Sequence, residues 1–356
     1  MKVLLNGATG GTNFGDFLFA EAFQNKVIEL IGKENVYWYD SRYALSDFFK
    51  KYLDYHNCYK LSEIDALICV SGGYFCGNDY SFKNYLIRYL MYFHICIRCL
   101  LRKIPIAIIG VEVGVPKNKI MQKIQKSILQ RADVLIVRNE ESLECLKNDY
   151  DLHNAKCTAD SAYAIVDSLP HKEDDLNKED RGSERNIFIH IDPLYLSRYE
   201  RVIHTINEFL NRHSNYHVYV GTDQKCSNED QIQRMCKKIL CKHFEYIPYE
   251  YPTHLCEILM KMDFIITPKL HVGIVGATLG KSVISFSIHS EKVDRFYNQI
   301  NEEDRTMSMN SFDEGKAIEM LERYHNRKII IDDSLIKSSY RKFEYMDVFL
   351  KSLLSS

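Results

Sequence analysis

The chain has 356 residues, of which 46% are hydrophobic and 26% are charged, as in ordinary globular proteins. This length is more than one hydrophobic core usually serves, so two domains are expected. Lys and Arg number 46 against 48 Asp and Glu, which argues against nucleic acid as a partner. Any anion-binding site must therefore be built from a few local cations.

The eleven cysteines are odd in number and scattered along the chain. Only Cys96 and Cys99 have CxxC spacing, and they lie in an apolar helical stretch unsuited to zinc. This usage is typical of reduced thiols in a cytoplasmic protein rather than a disulfide framework. The amino terminus reaches glycine at Gly7, too early for a signal peptide. No cluster of His, Cys and Asp has metal-ligand spacing, so no metal ligand is predicted, although spacing does not decide whether a metal is required.

Short apolar runs alternate with helical patterns through the first half of the chain. Strands are predicted at residues 2–6, 36–39, 66–71, 104–111 and 133–138. A glycine-rich turn at residues 7–16 opens a helix that runs to residue 31, and another helix is predicted to start at residue 140 or 141. This alternation predicts a parallel, doubly wound α/β sheet.

Composition changes at residues 167–186, which are strongly charged and lack apolar periodicity. The alternation then restarts, with strands predicted at 187–191, 217–221 and 244–247 and helices at 199–213, 230–240 and 253–262. We predict two Rossmann-like domains, residues 1–167 and 187–311, joined by a charged linker at 168–186. Helices in 312–356 are expected to pack back on the first domain. Two similar α/β domains also predict a substrate cleft between them.

Residues 263–286 carry the most informative local pattern. The apolar run 264–266 ends in Thr267, Lys269 and His271, and a small-residue helix and a second apolar run follow. In open α/β sheets, ligands bind at the carboxyl ends of strands, where free helix N–H groups favour anions. A cation and an imidazole at this corner indicate an anionic substrate and proton transfer. The alternative is a solvated lysine and a histidine that only enters the helix.

Other polar residues follow predicted strands and are candidates for the same site. Arg138 and Lys292 are cations, and the alternative for Arg138 is a nearby Glu as partner. Asp16 could cap the first helix or orient a sugar hydroxyl. Asp160 could face the cleft or cap a helix. Four further candidates are predicted to lie in turns that follow strands: Asn13, Ser71, Gly72 and Gly73.

A long amphipathic helix is predicted at residues 82–101. Five basic residues interrupt the apolar segment 85–113 that contains most of this helix, which argues against a membrane-spanning helix. They are Arg88, His94, Arg98, Arg102 and Lys103. Contact of its aromatic and basic face with a membrane surface stays open as an alternative.

Taken in order, several motifs over residues 1–300 resemble the polysaccharide pyruvyl transferase family. They are Asn13-Phe-Gly-Asp16, Gly72-Gly73, Gly110-Val-Glu-Val-Gly114, Arg138-Asn-Glu-Glu-Ser142, Asp160-Ser-Ala, Lys269-Leu-His271 and the stretch 280–292. Their order gives the match its specificity, since each motif alone is weak. The resemblance implies a GT-B-like fold of two Rossmann-like domains.

The resemblance also implies the reaction. The donor would be phosphoenolpyruvate, with no further cofactor, and the acceptor a sugar such as galactose in a surface polysaccharide or its lipid-linked precursor. The product would be a cyclic pyruvate ketal. Donor-binding residues would be Arg138, Lys269 and Lys292, and the catalytic residues His271 and Asp16. Four residues would bind the acceptor: Asn13, Gly72, Gly73 and Asp160.

Two positions depart from the family pattern, which usually has Arg-Leu-His and Arg-Asp where this chain has Lys269-Leu-His271 and Arg138-Asn139. Lysine keeps the charge but loses the bidentate fork, and Asn139 removes one possible carboxylate partner for Arg138. Two other functions therefore stay open: a glycosyltransferase that uses a nucleotide sugar, and a sugar-binding relative without catalysis.

Overall fold

The computed structural model describes residues 1–40, 46–53, 59–77, 81–169 and 184–355. Most of the predicted linker at 168–186 lies outside these residues. The chain forms two compact units. The first unit comprises Met1–Thr12, Asp16–Ile165 and Ser334–Ser356, and the second comprises Asn13–Gly15 and Val166–Asp333.

Within the described ranges, the first unit contains a parallel sheet of seven strands. Its strands are β1 (Val3–Asn6), β2 (Val36–Trp38), β3 (Ala66–Cys69), β4 (Gly72–Phe75), β5 (Ile106–Val113), β6 (Val134–Val137) and β7 (Lys156–Cys157). The strand order is β2-β1-β3-β5-β6-β7, and β4 pairs with the far end of β5. Strands β1, β3 and β5 are buried along their whole length, as expected when helices cover both faces of a parallel sheet.

The second unit contains a parallel sheet of six strands among its described residues. They are β8 (Arg185–His190), β9 (Tyr216–Gly221), β10 (His243–Ile247), β11 (Phe264–Thr267), β12 (Ser282–Ser287) and β13 (Thr306–Ser308). Their order is β10-β9-β8-β11-β12-β13. Because every pairing is parallel, the carboxyl ends of neighbouring strands share one edge of this sheet.

Helices connect the strands in both units. They are α1 (Phe14–Ile31), α2 (Asp47–Tyr52), α3 (Phe82–Arg88), α4 (His94–Leu101), α5 (Lys119–Gln130), α6 (Glu140–Asn148), α7 (Ser161–Asp167), α8 (Tyr199–Arg212), α9 (Glu229–Cys236), α10 (Pro252–Met260), α11 (Leu270–Thr278), α12 (Ser290–Gln299), α13 (Glu314–Tyr324) and α14 (Asp333–Leu354). A π-helical turn, Tyr89–Phe93, joins α3 to α4, so the predicted helix at 82–101 is present with an irregular centre. None of the described helices combines the length and apolar character needed to cross a bilayer.

The predicted strands and helices are confirmed, with one correction at residues 66–75. The prediction of a turn at Gly72 and Gly73 is wrong, because both residues lie in β4. Strand β5 is eight residues long, and its end offers backbone partners that β3 does not reach. Strand β4 pairs with these residues of β5, with Gly72 opposite Val111 and Phe75 opposite Val113.

Candidate functional site

The corner between β11 and α11 has the predicted form of strand, polar turn, helix and strand. Thr267 ends β11, and Lys269 is the N-cap residue of α11. The hydroxyl of Thr267 accepts a hydrogen bond from the backbone N–H of Lys269 at 3.1 Å. This hydroxyl fixes the corner, so Lys269 and His271 are held at the carboxyl edge of the second sheet.

Two carboxylates approach Lys269 from neighbouring strands. Asp192, Asp223 and Lys269 are each the second residue after their strand, β8, β9 and β11. The Lys269 Nζ atom lies 2.9 Å from Asp192 Oδ2 and 4.0 Å from Asp223 Oδ2. Both carboxylates are buried, whereas 21% of the Lys269 side chain is exposed. One cation therefore balances two buried anions, and the three groups together carry a net negative charge.

His190, at the end of β8, joins this cluster to the corner. Its Nδ1 atom lies 2.8 Å from Thr267 Oγ1, and its Nε2 atom lies 3.3 Å from Asp223 Oδ1. Among the described residues, neither His190 Nε2 nor Asp223 Oδ1 has a hydrogen-bond partner of good geometry. Buried polar atoms normally find such partners, and exceptions concentrate at functional positions.

Electrostatics decide the protonation of the two groups with shifted pKa values. Burial alone would raise the pKa of Asp223, but Lys269 and His190 lower it below its ordinary value. Burial alone would lower the pKa of Lys269, but attraction to Asp223 and Asp192 raises it above its ordinary value. At neutral pH, Asp223 is therefore a carboxylate and Lys269 an ammonium ion.

The segment Asn13–Gly15 belongs to the second unit and lies against this cluster. The backbone N–H of Phe14 donates to Asp223 O at 2.8 Å, and Asn13 Nδ2 donates to Asp223 Oδ2 at 3.5 Å. A Cβ atom on Gly15 would lie 2.0 Å from His271 Nδ1. The glycine thus allows the imidazole to pack directly against the backbone. Asn13, Lys269 and His271, which the sequence predicted for one site, are brought together here.

Lys292 lies in the first turn of α12, which follows β12. Because β11 and β12 are adjacent and parallel, α11 and α12 begin at the same edge of the sheet, and the two helices are in contact. Ser287 ends β12, and its buried hydroxyl has no hydrogen-bond partner among the described residues. Two helix N-termini therefore lie along this edge, and their backbone N–H groups favour an anion. The charge of Lys269 is offset by Asp192 and Asp223, and Glu291 lies beside Lys292 in the first turn of α12.

In the first unit, Arg138 follows β6 and is only 7% exposed. Its guanidinium donates to Glu112 and, over 3.4 Å, to Asp160 Oδ2. Burial alone would lower the pKa of Arg138, but Glu112 and Asp160 raise it above its ordinary value. The sequence left open whether Arg138 pairs with a nearby Glu, and the structure shows that it does, with Glu112. Although residue 139 is an asparagine and not an aspartate, Arg138 still has two carboxylate partners, Glu112 and Asp160. The role of Arg138 in donor binding stays a prediction.

Asp160 and Asn139 both cap helices. Asp160 Oδ1 accepts from Ala162 N at 2.9 Å at the start of α7, and Asn139 Oδ1 accepts from Ser142 N at 2.9 Å at the start of α6. Asp16 lies in the first turn of α1. The capping contact there is made by Asn13, whose Oδ1 accepts from Gly15 N at 3.1 Å.

A buried lysine completes the first unit's cluster. Lys342, in α14, is fully buried and donates to Ala159 O and, at 3.0 Å, to Ser161 Oγ. Burial lowers the pKa of Lys342 to about 7, with Arg138 adding to the effect and Asp160 opposing it. The nearby Gly110 has φ +73°, and a Cβ there would lie 3.4 Å from the Lys342 side chain.

Four residues of these clusters escaped the sequence analysis: His190, Asp192, Asp223 and Lys342. A signal was available for Asp192 and Asp223, because each is a carboxylate within two residues of the end of a predicted strand, at 187–191 and 217–221. No local signal marks Lys342, since it lies in a long amphipathic helix where lysine is usually exposed.

The parallel sheets and the polar residues after their strands define an α/β protein of the GT-B-like class, and this predicted fold is confirmed by solved structures. The UDP-GlcNAc 2-epimerase of Neisseria meningitidis bound to UDP-GlcNAc is similar, with a TM-score of 0.61, 11% identity and 100% of each chain covered. The S. aureus MnaA–UDP structure has a TM-score of 0.61 and 13% identity, over 98% of this chain and 97% of that one. The UDP-GlcNAc 2-epimerase of Methanocaldococcus jannaschii in complex with UDP-GlcNAc and UDP has a TM-score of 0.56 and 10% identity, over 98% of this chain and 99% of that one.

The family model described as polysaccharide pyruvyl transferase matches residues 13–290. The chain therefore belongs to the polysaccharide pyruvyl transferase family, as the order of its motifs predicted. A search of curated proteins finds no match.

Proposed function

We propose that the chain transfers the pyruvyl group of phosphoenolpyruvate onto two hydroxyls of one sugar and forms a cyclic ketal. The observation that carries this proposal is the corner formed by Lys269 and His271 at the N-terminus of α11, beside the N-terminus of α12 with Lys292. It offers an anion site and a titratable imidazole on one edge of a sheet. No resident cofactor is required, because the donor carries its own leaving group.

The donor brings a phosphate of about −1.5 to −2 charges and a carboxylate, so it needs several positive groups. Lys269 alone is a weak candidate, because Asp192 and Asp223 already share its charge. We propose that Lys292 and the backbone N–H groups of the two helix N-termini contact the phosphate together with Lys269. Lys269, held in place by Asp192, supports one side of the donor, and Arg138 stays a further proposed donor residue.

The proposed reaction has two additions. A sugar hydroxyl attacks C2 of the donor and loses its proton while C3 takes up a proton, and the C–O bond to phosphate then breaks. The second hydroxyl adds to C2 and loses its proton, which closes the ketal and leaves inorganic phosphate. We propose His271 as the group that moves these protons, because imidazole titrates near neutral pH. Its contact with the Gly15 backbone restricts where the ring can point.

On the acceptor side we propose Asn13, Asp16 and the backbone of Gly72 and Gly73. Asp160 is proposed to act through Arg138, since its two carboxylate oxygens already have partners. The acceptor is proposed to be a sugar such as galactose in a surface polysaccharide or its lipid-linked precursor.

Peripheral contact with the inner face of the cytoplasmic membrane belongs to the same proposal. Phe82 and Leu86 of α3 are exposed, as is Leu101 at the end of α4. A lipid-linked acceptor would bring this face close to the bilayer surface.

The test combines thermal unfolding and phosphate release with purified protein. A ligand that binds only the native state raises the unfolding midpoint. We expect phosphoenolpyruvate to raise the midpoint and Lys292→Met to reduce this shift. The matched control is Lys316→Met, which removes an exposed lysine of α13 in the same unit. With a galactoside acceptor, we expect phosphate release to fall at least tenfold in His271→Asn and to persist in His204→Asn, an exposed histidine of α8.

One result would overturn the proposal, and a second would revise its mechanism. A midpoint shift with UDP-galactose or GDP-mannose and none with phosphoenolpyruvate would indicate a nucleotide-sugar glycosyltransferase instead. Nucleotide sugars are tested separately because one protein of similar fold was solved with bound UDP-GlcNAc. Undiminished phosphate release by His271→Asn would keep the donor but remove His271 from the mechanism.

A further inference from the structure

A second group of titratable side chains lies in the second unit, away from the corner at Lys269 and His271. It consists of His213, the C-cap residue of α8, together with Glu322 in α13 and His325 at the C-cap of α13. One ligand atom from each of the three lies within 4.8 Å of the others. His213 Nε2 and Glu322 Oε2 are already 2.7 Å apart.

The chemistry of this donor set suits a transition metal. Two imidazoles and one carboxylate, with a fourth position for water, form a common zinc-binding set. Glu322 and His325 are three residues apart, so their side chains lie on one side of α13, and the fold adds His213 from α8. Zn²⁺, Ni²⁺ and Cu²⁺ all favour such ligands, whereas Mg²⁺ and Ca²⁺ favour oxygen ligands alone.

The two rings are held in place by their neighbours. The Phe209 ring lies 4.5 Å from the His213 ring and 5.4 Å from the His325 ring, measured between centroids. Tyr216 OH lies 2.9 Å from His325 Nδ1, the kind of outer partner that fixes the orientation of a metal-binding histidine. The other ring nitrogen, Nε2, lies 3.1 Å from Asn326 Nδ2, and an ion bound there replaces this contact. All three ligand residues are partly exposed, so an ion could reach them from solvent.

Neighbouring cations limit how the ion can be held. Arg212 NH1 donates to Glu322 Oε1 at 3.4 Å, and Arg185 donates to the backbone O of His325 at 3.1 Å. The carboxylate therefore offers the ion Oε2, the oxygen that faces His213. On binding, the ion takes the place of the hydrogen bond between His213 Nε2 and Glu322 Oε2.

The place in the fold separates this group from the proposed transfer site. Arg185 and Tyr216 are the first residues of β8 and β9, so the group lies at the amino ends of the strands. Lys269 follows the carboxyl end of β11, which runs parallel to β8. The two sites therefore occupy opposite edges of one sheet.

We propose that His213, Glu322 and His325 bind one divalent transition-metal ion of the Zn²⁺ class, which joins the end of α8 to α13. The ion's role is structural, since it lies at the edge opposite the anion site. It stabilises the second unit and takes no part in the transfer reaction.

The test is calorimetric titration of tag-free, chelator-treated full-length protein with Zn²⁺, followed by Co²⁺ absorption spectra. We expect one ion per chain, a higher thermal midpoint with Zn²⁺, and the visible absorption of Co²⁺ in a low-coordinate site. Glu322→Gln and His325→Ala should each weaken Zn²⁺ binding at least tenfold. His243→Ala, which removes an exposed histidine of β10, is the matched control and should bind like the wild type.

Glu322→Gln keeps the size of the side chain, so its folding can be checked by circular dichroism without metal. Absence of stoichiometric Zn²⁺ binding by the wild type would overturn the proposal. So would unchanged binding by both folded ligand variants, because the ion would then lie elsewhere. Transfer activity is expected to be the same with and without Zn²⁺, and a strict dependence on the ion would contradict the structural role.

Discussion

Replacing Lys342 with methionine should make the protein more stable at pH 7 and less stable at high pH. Lys342 is fully buried in the first unit, and its ammonium group donates to Ala159 O and Ser161 Oγ. Methionine fills a similar volume without a charge. The substitution therefore separates the cost of burying a titratable amine from the value of its hydrogen bonds.

The magnitude follows from the lowered pKa, from 10.5 to about 7. A shift of this size corresponds to about 5 kcal/mol at roughly 1.4 kcal/mol per pH unit. At pH 7 the unfolded chain gains nearly all of this from protonating Lys342, and the folded chain gains less than about 1 kcal/mol. Against this, the variant loses the hydrogen bonds of Lys342, at a cost of about 1–3 kcal/mol. Lys342→Met should thus be more stable by about 1–3 kcal/mol at pH 7.

The sign of the pH dependence follows from proton binding. Between pH 7 and pH 10.5 the unfolded chain holds more protons on Lys342 than the folded chain, so the free energy of unfolding of the wild type rises with pH. In Lys342→Met this contribution to the free energy of unfolding is absent, so the free energy does not rise with pH for this reason. The advantage of the variant should shrink by up to about 1.4 kcal/mol per pH unit and reverse before pH 10.5.

Trp38 provides the assay, because it is the single tryptophan and is fully buried in the first unit. Urea unfolding followed by its fluorescence, at half-unit steps from pH 6.5 to pH 10, gives the free energy for both proteins. The difference between them cancels the titration of buried Cys and Tyr residues. A variant less stable than the wild type at pH 7, or a difference independent of pH, would refute the reasoning.

Three further predictions concern the second unit. Gly15→Ala should lower transfer activity at least about tenfold, because its Cβ would displace the His271 ring; full activity would contradict the contact. Asp192→Asn should lower the free energy of unfolding by about 1–3 kcal/mol, since it removes the carboxylate 2.9 Å from Lys269. Chemical denaturation measures this change, and an unchanged midpoint would show that the ion pair does not stabilise the fold. Arg305→Met should cost about 3–5 kcal/mol, because this fully buried guanidinium bonds two backbone carbonyls and one carboxylate; a loss under 1 kcal/mol in thermal unfolding would show that these groups find water instead.

The secondary structure was predictable because most strands here are short apolar runs bounded by polar turns. Residues 264–266 and 282–286 indicated β11 and β12 within a residue or two. The failure at Gly72 and Gly73 has a clear cause. Two glycines favour a turn locally, but the long β5 supplies hydrogen-bond partners that draw them into β4. A pairing partner 39 residues away cannot be read from the turn itself.

The sequence by itself determined the α/β alternation, the family motifs, and the position of Lys269 and His271 after a strand. These features depend on residues close together in the chain, whose spacing is visible in the sequence. Only the tertiary structure decided the partners of the charged groups. Lys269 meets carboxylates from two other strands, and Lys342 is buried against Ala159, 183 residues away. A charge inside a protein is governed by its desolvation and its neighbours in space, and neither is encoded by local spacing.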